Sequence, residues 1–183
     1  MKNKITFIAF LSILIFLSSL LNAEEMESKF TSSYTSIDEK DCLTLDSDDL
    51  GSIQECESFS DITVKVVEGD IRQSIILTRN FKEYILNFQS TITSSFSTLA
   101  SKIEWRHERD NMKNLKGMIV RLEVNDNEED LDATTSLLLV SKITTDQICI
   151  IGKILPQDKQ NEVARKMLDN SDDIPCLRKS NKH

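Results

Sequence analysis

Few groups in this chain could carry out chemistry: two histidines, His107 and His183, four cysteines, and thirty Asp and Glu residues. Nucleophilic catalysis needs a base beside a serine or cysteine. His183 belongs to a basic tail. His107 sits in Glu104-Trp105-Arg106-His107-Glu108-Arg109-Asp110, a mixed-charge stretch that reads as a solvated strand end or turn. No Gly-x-Ser-x-Gly or comparable context surrounds it, so no catalytic residue is assigned. Cys42, Cys56, Cys149 and Cys176 could hold zinc only if closely spaced pairs seeded the site, and there are none. An even count instead predicts two disulfides in an oxidising compartment. Three pairings are open to four cysteines. The nearest-neighbour choice is Cys42–Cys56 with Cys149–Cys176, each contributing about 3 kcal/mol in the chain-entropy picture.

The acidic run Asp126, Asn127, Glu128, Glu129, Asp130, Asp132 offers oxygen ligands. Counted from Asp126, however, Leu131 and Leu137 fall where an EF-hand needs Gly and Glu. The run reads as a wet hairpin tip, and no metal or cofactor is assigned. Only four glycines are present and none forms a phosphate-cradling loop. What remains is a recognition surface. Trp105, the sole tryptophan, and Arg106 are of types enriched at binding hot spots. Strand alternation puts Trp105 in the core and leaves Arg106 facing out near a hairpin at Glu68, Asp70 and Arg72, either to bind a ligand or to pair with Glu68 or Asp70. These five residues are the candidate binding set.

The elements that must position them follow from apolar periodicity. Ile62, Val64 and Val66 alternate with polar neighbours, Glu68-Gly69-Asp70 turns, and Ile71–Thr78 returns as the second strand of a hairpin. Phe81, Tyr84, Ile85, Phe88, Ile92, Phe96 and Leu99 fall at helical spacing, which predicts a helix over 80–89 and looser structure to about 100. Further strands are expected at Ile103–His107, Met118–Val124, Leu137–Ile143 and Ile148–Leu155. A helix capped by Asp158 should then present Val163, Met167 and Leu168. Asp46–Gly51 reads as a turn inside the first cysteine loop. The sum is an α+β single domain, a mostly antiparallel sheet of about six strands with one or two packed helices.

The N-terminus bounds the setting. Lys2 and Lys4 precede a 17-residue apolar run, Ile5 to Leu21, and Leu21-Asn22-Ala23 follows. This order predicts an export signal cleaved after Ala23, since the run only just reaches the roughly 17–25 residues of a membrane span. Residues 24–37 then form a flexible leader, 38–177 one exported domain, and 178–183 a disordered basic tail. The formal charge of −8 becomes −10 once Lys2 and Lys4 are removed, and such a surface repels nucleic acid.

The order Glu68-Gly69-Asp70-Ile71-Arg72, Ile103-Glu104-Trp105-Arg106, Leu138-Leu139-Val140-Ser141-Lys142, Cys149, then Asn161 ahead of Ala164-Arg165, resembles an uncharacterised family of small exported alphaproteobacterial proteins. The resemblance spans about residues 40–177. It implies a single disulfide-bonded domain and supplies no catalytic residues. Glu57-Ser58-Phe59-Ser60 stands where the family pattern has a Pro- and Gly-rich loop. The sequence therefore predicts a small exported protein, periplasmic or extracellular. It is expected to act without catalysis, as a binding, inhibitor or effector protein on a protein or cell-envelope component, without stable membrane insertion after cleavage. The alternative is a periplasmic carboxylate-based hydrolase or carbohydrate-active enzyme.

Overall fold

A computed structural model describes residues 28–127 and 130–178. The expected export signal, the start of the expected leader and the expected tail beyond Arg178 lie outside these residues. Ten strands run through the described chain: β1 (Phe30–Ser36), β2 (Leu43–Asp48), β3 (Gly51–Phe59), β4 (Ile62–Gly69), β5 (Arg72–Arg79), β6 (Lys82–Ile85), β7 (Ser97–Glu108), β8 (Asn111–Asn127), β9 (Asp130–Ile143) and β10 (Ile148–Ile154). They form one sheet in the order β10-β9-β8-β7-β5-β4-β3-β2, with β1 added on β7 and β6 on β5. The α+β expectation of about six strands with packed helices is thus overturned. Apart from a short 3₁₀ turn at Glu39–Asp41 and a helical turn at Phe88–Thr91, the only helix among the described residues is Gln160–Asp169.

All strand pairs are antiparallel except β5 with β7, which meet in parallel at one position, Arg72 opposite Ser97. Past that point the edges diverge. β6 takes β5 from Ile76 to Arg79, and β1 takes β7 from Lys102 to Glu108. The sheet consequently folds over itself. Its inner faces share one core of Ile62, Val64, Val66, Ile75 and Leu77 from one half, and Ile103, Trp105, Val120, Leu122 and Leu139 from the other. Behind the second half, the helix buries Ala164 and Leu168 against Ile119, Leu138 and Val140. Gly117 permits that seating, because a Cβ there would come within 2.6 Å of Leu168 and 2.1 Å of the Ser141 carbonyl.

The 62–78 hairpin forms as expected. The predicted helix over 80–89 does not. Asn80 and Phe81, both at positive φ, make a two-residue turn into β6, and only Phe88–Thr91 is helical, with the Asn87 side chain accepting from the Ser90 N–H. The hydroxyl-rich sequence that follows disfavours continuing the helix. The expected leader also differs, since Phe30–Ser36 is β1. Asp158 does not cap the final helix. Lys159 occupies that position without a side-chain bond, and Val163 is half-exposed.

Two disulfides are present, Cys42–Cys56 and Cys149–Cys176, the nearest-neighbour pairing. The first ties the approach to β2 onto β3. The second holds the C-terminal segment along the edge strand β10, where the Leu177 N–H donates to the Ile150 carbonyl. Both point to an oxidising environment. Among the described residues no helix is long and apolar enough to cross a membrane.

Phe81 combines a left-handed backbone (φ 62) with a fully exposed ring. Phe81→Gly is therefore expected to raise stability by about 1 kcal/mol, because glycine adopts that conformation without the Cβ clash. Urea unfolding of the two proteins would reveal it, and a loss of stability would contradict this account of the turn.

Candidate functional site

The inner face of the first half changes character along its strands. In β4 the inward positions run Ile62, Val64, Val66, Glu68, and in β5 they run Leu77, Ile75, Gln73. In β3 they run Cys56, Gln54, Ser52. Apolar residues give way to polar ones near the turns at 49–50 and 70–71, so the halves cannot seal there. They leave a cleft of about 720 Å³ between the β2–β3 and β4–β5 hairpin ends on one wall and Ile37–Glu39 with Thr98–Ser101 on the other.

Six carboxylates line it: Asp38, Glu39, Asp48, Asp49, Glu68 and Asp70, and no Lys, Arg or His stands among the lining residues. Asp38 is 3.2 Å from the Lys40 ammonium, and Asp70 pairs with Arg72. Asp48 accepts from the Leu50 and Gly51 N–H groups at 2.8 and 3.0 Å, the turn chemistry expected of the Asp46–Gly51 cluster. Gly51 is needed here, since a Cβ would lie 2.0 Å from the Glu68 carbonyl oxygen. Glu68 accepts from the Gln73 amide at 2.8 Å, and the Gln73 oxygen accepts from the Leu99 N–H at 2.7 Å, bridging the two halves. Gln54 is more than nine-tenths buried on this wall, and no group among the described residues bonds its side-chain amide. Ile71 stands at the rim in a left-handed conformation, half-exposed.

Of the five candidate binding residues, Glu68 and Asp70 line the cleft. Arg72 braces its margin, donating from Nε to the Ser94 carbonyl at 2.9 Å and stacking over the Phe96 ring at 4.6 Å. Trp105 and Arg106 lie outside the lining, four and five residues beyond Ser101 on β7, roughly 13–17 Å along it at about 3.3 Å per residue. Trp105 is fully buried, as expected. It donates to Thr35 Oγ1 at 2.8 Å and stacks on Phe59 at 5.3 Å, so the Glu57–Ser60 segment supplies a ring that packs on the core.

Arg106 neither faces solvent nor pairs with Glu68 or Asp70. It is 7 % exposed and grips Asp169 of the helix through Nε (2.9 Å) and Nη2 (2.6 Å), with Nη1 donating to Ser32. Glu104 pairs with Arg165 of the same helix at 2.6 and 3.1 Å and accepts from Ser32. Glu104 raises the Arg165 pKa further through that bond. The Glu104-Trp105-Arg106 segment and the helix that carries Arg165 therefore meet as a structural clamp.

A serine and a histidine do meet: His107 Nε2 is 2.9 Å from Ser33 Oγ, and Nδ1 is 2.8 Å from the Glu108 carbonyl. The carbonyl only accepts, so Nδ1 carries a proton, and in the neutral ring Nε2 accepts from Ser33. His107 is not a solvated turn residue. It is 2 % exposed against Phe59 and lines none of the cleft described above. The bond is that of a satisfied core histidine.

Among the described residues no cluster of three or more His, Cys, Asp or Glu side chains converges to hold a metal. The sequence reading missed Gln54, Asp38, Glu39, Asp48 and Asp49. Gln54 was accessible, because it sits in phase with Cys56 on the inward face, where an apolar residue belongs.

Two predictions follow from these pairs. Asp169→Ala strands the Arg106 guanidinium, whose side chain is 8 % exposed, and should cost about 3 kcal/mol, whereas the double change to apolar residues, Arg106→Met with Asp169→Leu, should recover most of it. Denaturant midpoints of the two variants coinciding would refute that. At the opposite end of the fold, the Asn114 amide and then the Lys29 ammonium hold the Glu108 carboxyl below the ordinary glutamate range, and Lys116 does the same for Asp172. A lowered folded pKa gives stability that is present above the ordinary carboxylate value and lost as pH falls through the folded one. Carboxyl NMR titration should find Glu108 and Asp172 midpoints below the ordinary values, with Asn114→Ala returning Glu108 toward normal. No family model, curated protein or solved structure matches the chain.

Proposed function

We propose that this chain is an exported binding protein that holds its partner in the acidic cleft between the two halves of its sheet. The partner is a protein or cell-envelope component, met in the periplasm or outside the cell once residues 1–23 have been removed. The protein takes its place beside the exported family it resembles, in an inhibitor or effector role rather than a catalytic one. The observation that carries the reading is Gln54. The residue is 7 % exposed, its amide has no partner among the described residues and is open to bond a ligand, and it lines a cleft whose volume lies within the range of ligand sites.

The arrangement of acids favours one second reading, hydrolysis by paired carboxylates, since Asp38 and Glu39 face the wall of Asp48, Asp49, Glu68 and Asp70. Retaining or inverting chemistry needs one of the two acids to keep a proton. Asp38, Asp48, Glu68 and Asp70 are already engaged by hydrogen bonds or cations within the protein. Binding is the better use of the site.

A photocrosslinking residue tests this in the full-length protein in its native envelope. Introduced for Leu50, an exposed residue on the cleft rim, it should give a discrete adduct. Introduced for Phe81, fully exposed at the far end of β5, it should give none. Equal labelling from both sites, or none from Leu50, would overturn the reading.

A further inference from the structure

Resting on the cleft being the binding site, we propose that its ligand is an aliphatic polyammonium, the chemistry shared by free polyamines and by the lysine side chains of a basic peptide.

Charge gives the sign. Lys40 and Arg72 each offset one lining acid, and Glu39, Asp48, Asp49 and Glu68 have no cationic partner among the described residues. Distribution gives the shape. The carboxylates spread around the walls rather than converging on a point, and no group of three or more could hold a metal ion among the described residues. A compact divalent cation needs six to eight converging oxygens, whereas an extended cation needs charges at intervals. Between the acids stand Ile37, Val66 and Leu99 on the walls and Leu50 and Ile71 at the rim, apolar surface suited to the methylenes that separate ammonium groups. An arginine-like planar fork is less well served, since bidentate recognition wants a single carboxylate presented free and edge-on.

Gln54 supplies the independent observation. The residue is more than nine-tenths buried and lines the cleft, and its amide, open to the cleft, has no partner among the described residues. The amide oxygen accepts from an ammonium, and its NH₂ can donate to a peptide carbonyl. The residue therefore reads chemistry that the rim acids, acting through long-range attraction, do not.

Calorimetric titration of the mature protein with spermidine and, separately, with a tri-lysine amide tests the proposal. At least one probe should bind at low ionic strength and weaken steeply as NaCl is raised past 0.15 M, where the screening length is about 8 Å. Glu68→Gln and Asp49→Asn should each weaken binding and flatten its salt dependence. Gln54→Leu should weaken it roughly tenfold, as for loss of one hydrogen bond to a charged group, with the salt dependence unchanged. Asp110→Asn, in the β7–β8 turn at the opposite end, should change nothing. Spermidine binding more tightly than the peptide assigns a free polyamine, and the reverse order assigns a lysine-bearing partner. Glu68→Gln keeps size and fold, so the test survives a Gln54 variant that unfolds. Failure of both probes while Leu50 still crosslinks would overturn the ligand class alone. Calcium binding more tightly than either probe would do the same. Loss of the Leu50 adduct would overturn the cleft reading beneath it.

Discussion

The two halves of the sheet meet at a single parallel position, Arg72 opposite Ser97, and the rest of the molecule is arranged around how that joint is held. One residue pair is too little to fix the angle between two sheets. The Arg72 side chain adds what the ladder lacks, with Nε on the Ser94 carbonyl, Nη1 on the Asp70 carbonyl and the plane over Phe96, while the Ser97 N–H donates to Ile71. Guanidinium serves here because it alone offers a fork of donors and a stacking face together. With the joint clamped at one end, the halves close on apolar side chains toward the other, and the acidic cleft is the space left beside the clamp. Glu68, Asp70 and Arg72 belong together for this reason, two lining the cleft and one bracing it.

The second constraint is register between helix and sheet. Glu104 and Arg106, two apart on β7, face Arg165 and Asp169, four apart on the helix. Two strand residues span about 6.6 Å and four helical residues about 6 Å, so the charges match without strain. A slip of one helical turn would set Arg165 against Arg106. Buried ion pairs add little net stability after desolvation, but a wrong register leaves like charges buried, which is strongly unfavourable. The apolar contacts of Ala164 and Leu168 supply the attraction, and the paired charges select one alignment.

Legibility from sequence follows from where each signal resided. The 62–78 hairpin, the buried Trp105 and the disulfide pairing rest on local alternation or chain distance, and these survive folding unchanged. β1 was hidden because its sequence, Phe-Thr-Ser-Ser-Tyr-Thr-Ser, has no apolar face. Its partners are polar on both sides: Thr35 and Ser33 meet Trp105 and His107 inside, while Ser32 and Tyr34 meet Glu104, Arg106 and Arg165 outside. Only the long-range pairing makes that strand. The aromatic spacing from Phe81 to Phe88 imitated a helix, although Phe81 tips a turn, Tyr84 points inward from β6 and Phe88 begins a single helical turn. Arg106 was assigned to the near hairpin because sequence proximity stood in for a helix sixty residues away.

The cleft shows what the polar end of the sheet costs. Completing the core would require apolar residues at the inward positions held by Gln54, Glu68 and Gln73, and would close the hairpin ends at 49–50 and 70–71 onto the wall of Ile37–Glu39 and Thr98–Ser101. The chain instead keeps an amide without a partner among the described residues, Asp70 and Ile71 in left-handed backbone, and a lining rich in acids. Ile71 is the sharpest case, since a β-branched residue is poorly suited to a position where glycine is unstrained. Each of these lowers the stability of the isolated domain, and all occur at one end of the fold beside the position where β5 meets β7. Glu68 and Gln73 could not be exchanged for apolar residues without also losing the bond from Gln73 to the Leu99 N–H that helps hold that joint. The polar lining and the hinge are thus one construction, in which the groups that leave the cleft open also keep its walls at a fixed separation.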